Sequence, residues 1–212
     1  YQRLNMQKDN LIIIIDIWKH KKFDNLAQNI KTYIENSEHI KSICLSSYDP
    51  SYTESTVCCN DQYWENSKQI FTEEISIDFI RKNWHKHIKK KNITHNTIME
   101  INPRNDQFVF SAANPYEIIY YCNNVNQSIK NIYWAGFDWN ICVKDSPVGY
   151  REIINCYKSN LFKNNINFRT NKKIIATIDG VDTNDLDTLN FKDCEPLDGW
   201  VEQNNDEWLY KI

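Results

Sequence analysis

The sequence predicts an α/β domain with a mostly parallel central sheet, on three observations. The first is the apolar run Leu11-Ile12-Ile13-Ile14-Ile15, which ends in Asp16. A strand apolar at successive positions suits a sheet covered on both faces. The second is the alternation of such runs with segments at helical spacing. That alternation points to repeated β-α-β units, whose right-handed crossovers put helices on both faces. The third is where polar and small residues fall. Asp16, Asp49, Gly136 to Cys142 and Asp179 all follow expected strands, at the edge where open sheets of this kind bind ligands.

Taken in order, Leu11 to Ile15 is the first strand. Asp24 to Ile40 carries apolar residues at 26, 30, 34 and 40, close to helical spacing. Ile40 to Leu45 reads as the second strand, ending near Ser46, Ser47 and Asp49-Pro50. A polar, aromatic-rich loop is expected from Tyr52 to about Lys68, and long loops at strand ends often cover sites. Ile75 to Ile88 reads as a helix and Thr97 to Ile101 as a short strand. Asn114 fits an N-cap with Pro115 in the first helical position, and this helix is expected to reach about Ile129. Ile132 to Gly136 is the next strand, Asn140 to Asn155 a helix, and Lys173 to Ile178 the last strand. The chain from Asp179 to Ile212 reads as an acidic, irregular tail. One domain over 1–212, with a core at about 11–178, is the expectation.

Composition bounds the function. With 212 residues, of which 41% are hydrophobic, the chain can bury one substantial core. A net charge of -3 lacks the basic balance of a polyanion binder, so no nucleic-acid partner is expected. Four glycines and five prolines exclude collagen-like or linker-dominated chains. The longest apolar run is five residues, against the about 20 that a membrane helix needs, so no membrane partner is expected. No signal-peptide pattern precedes that run. Seven cysteines stand at 44, 58, 59, 122, 142, 156 and 194, with no C-x-x-C spacing. An odd, irregular set argues for free thiols in a reducing compartment, and the expected location is cytoplasmic.

The residues best placed for chemistry are Cys142 and Asp16. Cys142 comes six residues after Gly136, just past a strand and at the expected start of a helix. Such a position activates a thiol, because the free N–H groups and the dipole favour thiolate. The same N–H groups can hold an oxyanion when the sulfur attacks a carbonyl. Asp16, closing the first strand, is placed to act as base towards the thiol or to orient a substrate. The competing reading is plain packing, since a cysteine between Ile141 and Val143 is more often an inert buried residue.

The segment Ala135-Gly136-Phe137-Asp138-Trp139-Asn140-Ile141-Cys142-Val143 resembles the nucleophile motif of the isochorismatase-like cysteine hydrolases. The run Ile12 to Asp16 likewise resembles their first strand, which ends in an Asp. The resemblance covers the order of elements from about Leu11 to Ile178. It implies a three-layer α/β/α sandwich with a mostly parallel sheet. It also implies hydrolysis of small amides or carbamoyl compounds through a thioester, or cleavage of a vinyl ether in the isochorismatases. The implied triad is Asp, Lys and Cys, with Asp16 and Cys142 in two of its places. A cis peptide bond is implied at Phe137-Asp138, with the amides of Asp138 and Cys142 as the oxyanion hole. No organic cofactor is implied, and a homo-oligomer is. The lysine precedes a loop of the form Lys-Pro-x-x-x-x-Phe near the end of the third strand. The matching stretch here is Asn102-Pro103-Arg104-Asn105-Asp106-Gln107-Phe108, so Asn102 takes its place. Asn is uncharged, and Arg104 two residues on can supply charge without shuttling protons.

Other features are read as structural. His85 and His87 lie among lysines and suit a solvated helix face, as does Lys89-Lys90-Lys91. Some amidases of the resembled family bind a metal through an Asp and two histidines near the second strand. The stretch after Asp49 lacks histidine, so no metal is expected. Asp179, Asp182, Asp185 and Asp187 lack the spacing of a twelve-residue calcium loop. Tyr116, Tyr120, Tyr121, Tyr133 and Trp134 are read as core or interface. Trp18 and Trp139 flank the site residues and are candidates to stack a flat substrate. Two functions follow: a cysteine hydrolase acting on a small amide or related compound, or an inactive member of the same fold serving as an interaction subunit.

Overall fold

The run Leu11 to Ile15 is sealed from solvent and sits at the middle of a sheet. In the computed structural model, residues 9–17, 23–46, 102–112, 114–177, 199–204 and 206–212 are described. Strand β1 (Asp9–Ile15) is flanked by β2 (Ile40–Ser46) and β4 (Ile129–Gly136), both parallel to it. Strand β3 (Phe108–Ser111) pairs parallel with β2, and β5 (Asn167–Ile175) parallel with β4. A hairpin of β6 (Trp200–Asn204) and β7 (Glu207–Tyr210) adds antiparallel to β5. Among the described residues the sheet therefore has seven strands, in the order β3-β2-β1-β4-β5-β7-β6. The expected α/β class with a mostly parallel sheet is what forms.

Helices lie on both faces, as alternate residues of β4 show. Helix α1 (Asp24–Asn36) buries Leu26, Ile30 and Ile34, the positions with helical spacing in the sequence. Its Tyr33 ring meets Tyr133 of β4, with centroids 6.0 Å apart. The next residue, Trp134, points the other way and meets Tyr150 of α4 (Tyr150–Lys158). Between these lie α2 (Pro115–Tyr120) and the single turn α3 (Cys142–Asp145). No helix among the described residues is long and apolar enough to cross a membrane.

Several boundaries differ from the sequence reading, each for a local reason. Helix α1 stops at Asn36 and not Ile40: the Ile40 amide donates to the Ser37 carbonyl at 3.1 Å in a turn after the helix, and Ile40 itself opens β2. The helix opened by Asn114 has its full capping box, with the Asn114 side chain accepting from the Tyr116 and Glu117 amides and Glu117 bonding back. It widens into a π turn over Tyr121–Val125, and β4 begins at Ile129 where the helix was expected to end. The helix expected over Asn140 to Asn155 is broken at Ser146-Pro147-Val148-Gly149. There a Cβ on Gly149 would stand 2.6 Å from the Lys144 carbonyl oxygen.

Strand β5 starts at Asn167, earlier than Lys173. Its polar beginning is paired across the sheet by a ladder of asparagines. Asn131 donates to Asn10 at 2.7 Å and Asn167 donates to Asn131 at 3.2 Å, in register across three strands. The tail read as irregular holds the β6–β7 hairpin. Trp200 and Tyr210 pack edge to face on each other, and Trp200 also meets Trp139 and Tyr150. The strand expected at Thr97 to Ile101, the helix at Ile75 to Ile88, and His85, His87, Lys89 to Lys91 and Asp179 to Asp187 lie outside the described residues.

Candidate functional site

Asp16 and Cys142 meet at the carboxyl ends of the two central strands. Asp16 follows β1, its amide donating to the Ser46 carbonyl at 3.2 Å. Its φ of 54° places it in the left-handed region, a costly position for a non-glycine residue that functional sites retain. β1 lies directly against β4, with Ile15 paired to Gly136. The approach is so close that a Cβ on Gly136 would fall 2.0 Å from the Ile15 carbonyl oxygen, and Gly136 has φ of 125°. Glycine is required here by both distance and conformation.

After Gly136 the chain makes a tight turn held by several backbone hydrogen bonds. The Phe137-Asp138 peptide is cis. Phe137 N–H donates to the Ile15 carbonyl at 3.1 Å and Trp139 N–H to the Ala176 carbonyl at 2.9 Å. The Asp138 carbonyl accepts from the Ile141 amide at 3.2 Å and the Val143 amide at 2.9 Å. The Cys142 amide is matched to no carbonyl acceptor among the described residues. The Asp138 carboxylate, 4% exposed, accepts from the Asn140 amide at 3.0 Å and from the Thr177 hydroxyl at 2.9 Å.

The Cys142 thiol sits in this turn beside two acidic residues. Asp16 and Asp138 are the acidic neighbours whose charges act on its sulfur. Burial pushes the thiol up to about 12, and the charges of Asp16 and Asp138 act in the same direction; the Asp138 N–H opposes them. Activation by a helix dipole, expected from the sequence, is corrected here. Helix α3 is four residues long, too short for an appreciable dipole, and burial beside a carboxylate outweighs it. The resting group is the neutral thiol, and the adjacent carboxylate is positioned to accept its proton. Among the described cysteines, Cys44, Cys122 and Cys156 are buried and Cys142 is partly open.

The other expected site residues lie elsewhere. Arg104 is a structural cap. Its guanidinium donates to the carbonyls of Ile34 at 2.8 Å, Ser37 at 3.4 Å and Ile40 at 3.1 Å, closing the end of α1 and the start of β2. That is the amino edge of the sheet, and β2 runs seven residues, roughly 20 Å, to the opposite edge where Asp16 lies. Asn102 is exposed and two residues from Arg104, so it cannot reach Cys142 either. The stretch 102–107 precedes β3 and does not end it; Ser111 and Ala112 stand at that strand's carboxyl end. Trp139 is also corrected as a substrate-stacking residue. It is sealed in the core, stacked on Tyr150 with centroids 4.9 Å apart. Trp18 lies outside the described residues. Among the described residues, no group of three His, Cys, Asp or Glu side chains could hold a metal ion.

Thr177 is the site neighbour that the sequence reading passed over. It stands just beyond β5 and only sheet pairing brings it to Asp138, 39 residues away in the chain. The sole sequence signal was its place in the expected strand ending at Ile178.

Replacing Arg104 by Ala is expected to cost about 1–3 kcal/mol of stability through its three abandoned carbonyls. The rate at which iodoacetamide labels Cys142 should stay unchanged. Urea unfolding and labelling of the same sample check this, and a changed labelling rate would return Arg104 to the site.

Compared with protein-family models, with curated proteins and with solved structures, the chain matches none.

Proposed function

We propose that this chain is a cysteine hydrolase of the isochorismatase-like kind, acting on a small carboxamide or related acyl compound. One observation carries the reading: Asp16 is an acidic neighbour of the Cys142 thiol, where β1 and β4 end side by side. One further feature supports it. The acid and the thiol end adjacent parallel strands, the edge at which open sheets bind ligands.

The chemistry follows from the neutral thiol. Asp16 takes the thiol proton as the sulfur attacks the carbonyl carbon, so no free thiolate accumulates beforehand. The amides of Asp138 and Cys142 donate to the oxygen as it gains charge. Collapse breaks the C–N bond, Asp16 returns the proton to the departing amine, and a thioester remains on Cys142. Water then attacks the thioester with Asp16 again taking a proton, and the sulfur leaves with a proton restored. The acid product departs.

A second reading is a non-catalytic member of the same fold, serving as an interaction subunit. The observation favouring it is the thiol's high pKa, with Ser111 and Ala112 rather than a lysine at the carboxyl end of β3.

Ammonia release from a panel of primary carboxamides, nicotinamide included, tests the proposal. Cys142→Ala and Asp16→Asn are each expected to lower turnover by about a thousandfold, the scale of losing a nucleophile or its base. Alkylation should respond in the opposite sense. Removing the Asp16 charge lets the thiol ionise more readily, so Asp16→Asn is labelled faster at pH 8 than the native chain. In the native chain labelling should climb about tenfold per pH unit from pH 8 upward, since the pKa lies near 12. Turnover that survives Cys142→Ala would sink the proposal. No turnover, with Cys142 labelled no faster than buried Cys44 or Cys122, would favour the second reading.

A further inference from the structure

Ile141 and Val143 flank Cys142 and look alike in the sequence, yet the fold treats them oppositely. Val143 is sealed at 0% exposure, Ile141 is 55% exposed, and Cys142 between them is partly open. Helical geometry gives this gradient a direction. The Ile141 carbonyl accepts the Asp145 amide at 2.8 Å and the Cys142 carbonyl accepts the Ser146 amide at 3.0 Å. Ile141 therefore heads the same turn that carries Cys142. Successive side chains on such a turn stand about 100° apart, whereas those of a strand point to opposite faces. The Val143 side of Cys142 is closed by the core, and its open side is the one next to Ile141.

A single apolar side chain in water is ordinary on a protein surface. The place of this one is not. Among the described residues, the other large apolar side chains open to solvent are Phe108, Val125 and Ile212. Phe108 begins β3, Val125 precedes β4, and Ile212 follows β7, which runs antiparallel to β5. All three lie towards the amino edge of the sheet. Ile141 stands at the carboxyl edge with Cys142, and its backbone is committed there at both ends. Its N–H donates to the Asp138 carbonyl at 3.2 Å while its own carbonyl is taken by Asp145. The charge on its face is answered as well, since Asp145, four residues on, pairs with Arg151 at 2.7 Å.

We infer that Ile141 sets the specificity of the thiol site: its side chain is an apolar rim on the open side of Cys142, and it selects compounds with an aliphatic or aromatic group beside the carbonyl that the sulfur attacks. This rests on reading Cys142 as the reacting group, and it narrows the substrate class from small carboxamides in general to uncharged, apolar ones. An apolar group that enters against Ile141 removes both surfaces from water, with a gain proportional to the area covered. A small polar group gains nothing there. The side chain thus discriminates between the two without taking part in the bond changes.

The test compares two reagents that share a reacting double bond and differ in the group attached, N-methylmaleimide and N-cyclohexylmaleimide. The full chain is labelled with each at pH 8, and the rate at Cys142 is read by peptide mass spectrometry. Dividing the cyclohexyl-to-methyl ratio by that of glutathione removes the reagents' own difference in reactivity. The native chain is expected to favour the cyclohexyl reagent by about three- to tenfold, the effect of covering part of one apolar side chain. Ile141→Ala should bring the ratio to within about twofold of glutathione's, because the apolar surface is then largely gone. Ile141→Leu should keep the native preference. Should the alanine variant fail to fold, Ile141→Gln keeps the length without the apolar end and is read in the same way. A merely structural Ile141 would lower the urea midpoint of these variants and leave the ratio unmoved. A native ratio equal to glutathione's would overturn the inference, as would an alanine variant that keeps the preference or a leucine variant that loses it. A Cys142 that neither reagent labels would also overturn it, since no opening then exists for Ile141 to border. The outcome is separate from that of the proposed hydrolysis. A chain with this preference that cleaves no amide keeps the Ile141 rim and removes only the reaction, while amide turnover with a flat ratio does the reverse.

Discussion

Gly136→Ala is expected to unfold the chain, or to leave it so weakly folded that low urea suffices. A Cβ at this position would lie 2.0 Å from the Ile15 carbonyl oxygen and 2.8 Å from the Ile15 nitrogen, inside any tolerable contact. The atoms it meets are backbone, and they belong to the central strand of the sheet. No side-chain rotation relieves the clash; β1 and β4 would have to separate. The φ of 125° adds a conformation that alanine adopts only under strain. Together these place the loss at about 4 kcal/mol or more, a large share of the total stability of an ordinary domain. Urea unfolding followed by circular dichroism measures it. A loss under about 1 kcal/mol would mean that the strands part easily there and that the site's two halves are not rigidly joined.

Trp134→Ala should be nearly as damaging. Trp134 is fully buried on the α4 face of the sheet, with the Phe168 ring 5.7 Å and the Tyr150 ring 6.4 Å away. Its indole N–H donates to the Val148 carbonyl at 2.9 Å, in the break between α3 and α4. Truncation leaves a large cavity and an unpaired carbonyl, for a loss of about 3–5 kcal/mol. Trp134→Phe separates the two contributions. It keeps most of the packing and abandons the hydrogen bond, at about 1–2 kcal/mol plus a smaller packing loss. The expected order of urea midpoints is native, then Phe, then Ala. Equal midpoints for the two variants would show that the hydrogen bond to Val148, and not the packed volume, dominates.

Both expectations concern residues whose importance was only partly visible in the linear chain. Gly136 stood out as a rare glycine closing an expected strand, but its need became concrete only with Ile15 beside it. Trp134 was read as core or interface from its apolar neighbourhood; which helix it meets, and its bond to Val148, depends on a break in the chain that periodicity did not reveal. Pro147 and Gly149 carried a signal for that break, since both interrupt helices, yet the apolar spacing around them reads as one continuous helix.

The misplacement of the lysine position is the most instructive error. Asn102-Pro103 followed by Phe108 matched a short pattern in which the lysine ends a strand. In the fold, that stretch precedes β3, and Arg104 bonds to carbonyls at the amino edge of the sheet. A local pattern carries no information on which side of a strand it lies. The pairing of Phe108 with Ser42 settles that question, and it is a contact between residues far apart in the chain. The hairpin in the last residues was hidden for a similar reason. Its alternation is short and polar on one side, and its apolar residues gain meaning only against Trp139 and Tyr150.

The placement of Asp16 and Cys142 at strand ends was legible from the chain alone. A short run of β-branched residues fits a doubly covered strand, and the residue that follows such a strand emerges at the sheet's edge. Cys142, past the next such run and a glycine, follows by the same logic. Their coming together, the burial that raises the thiol's pKa and the bond from Thr177 to Asp138 were decided by the tertiary structure. Each depends on how strands are ordered and how deeply a group is buried. Those quantities are set by pairing between distant segments, so no local stretch of sequence contains them.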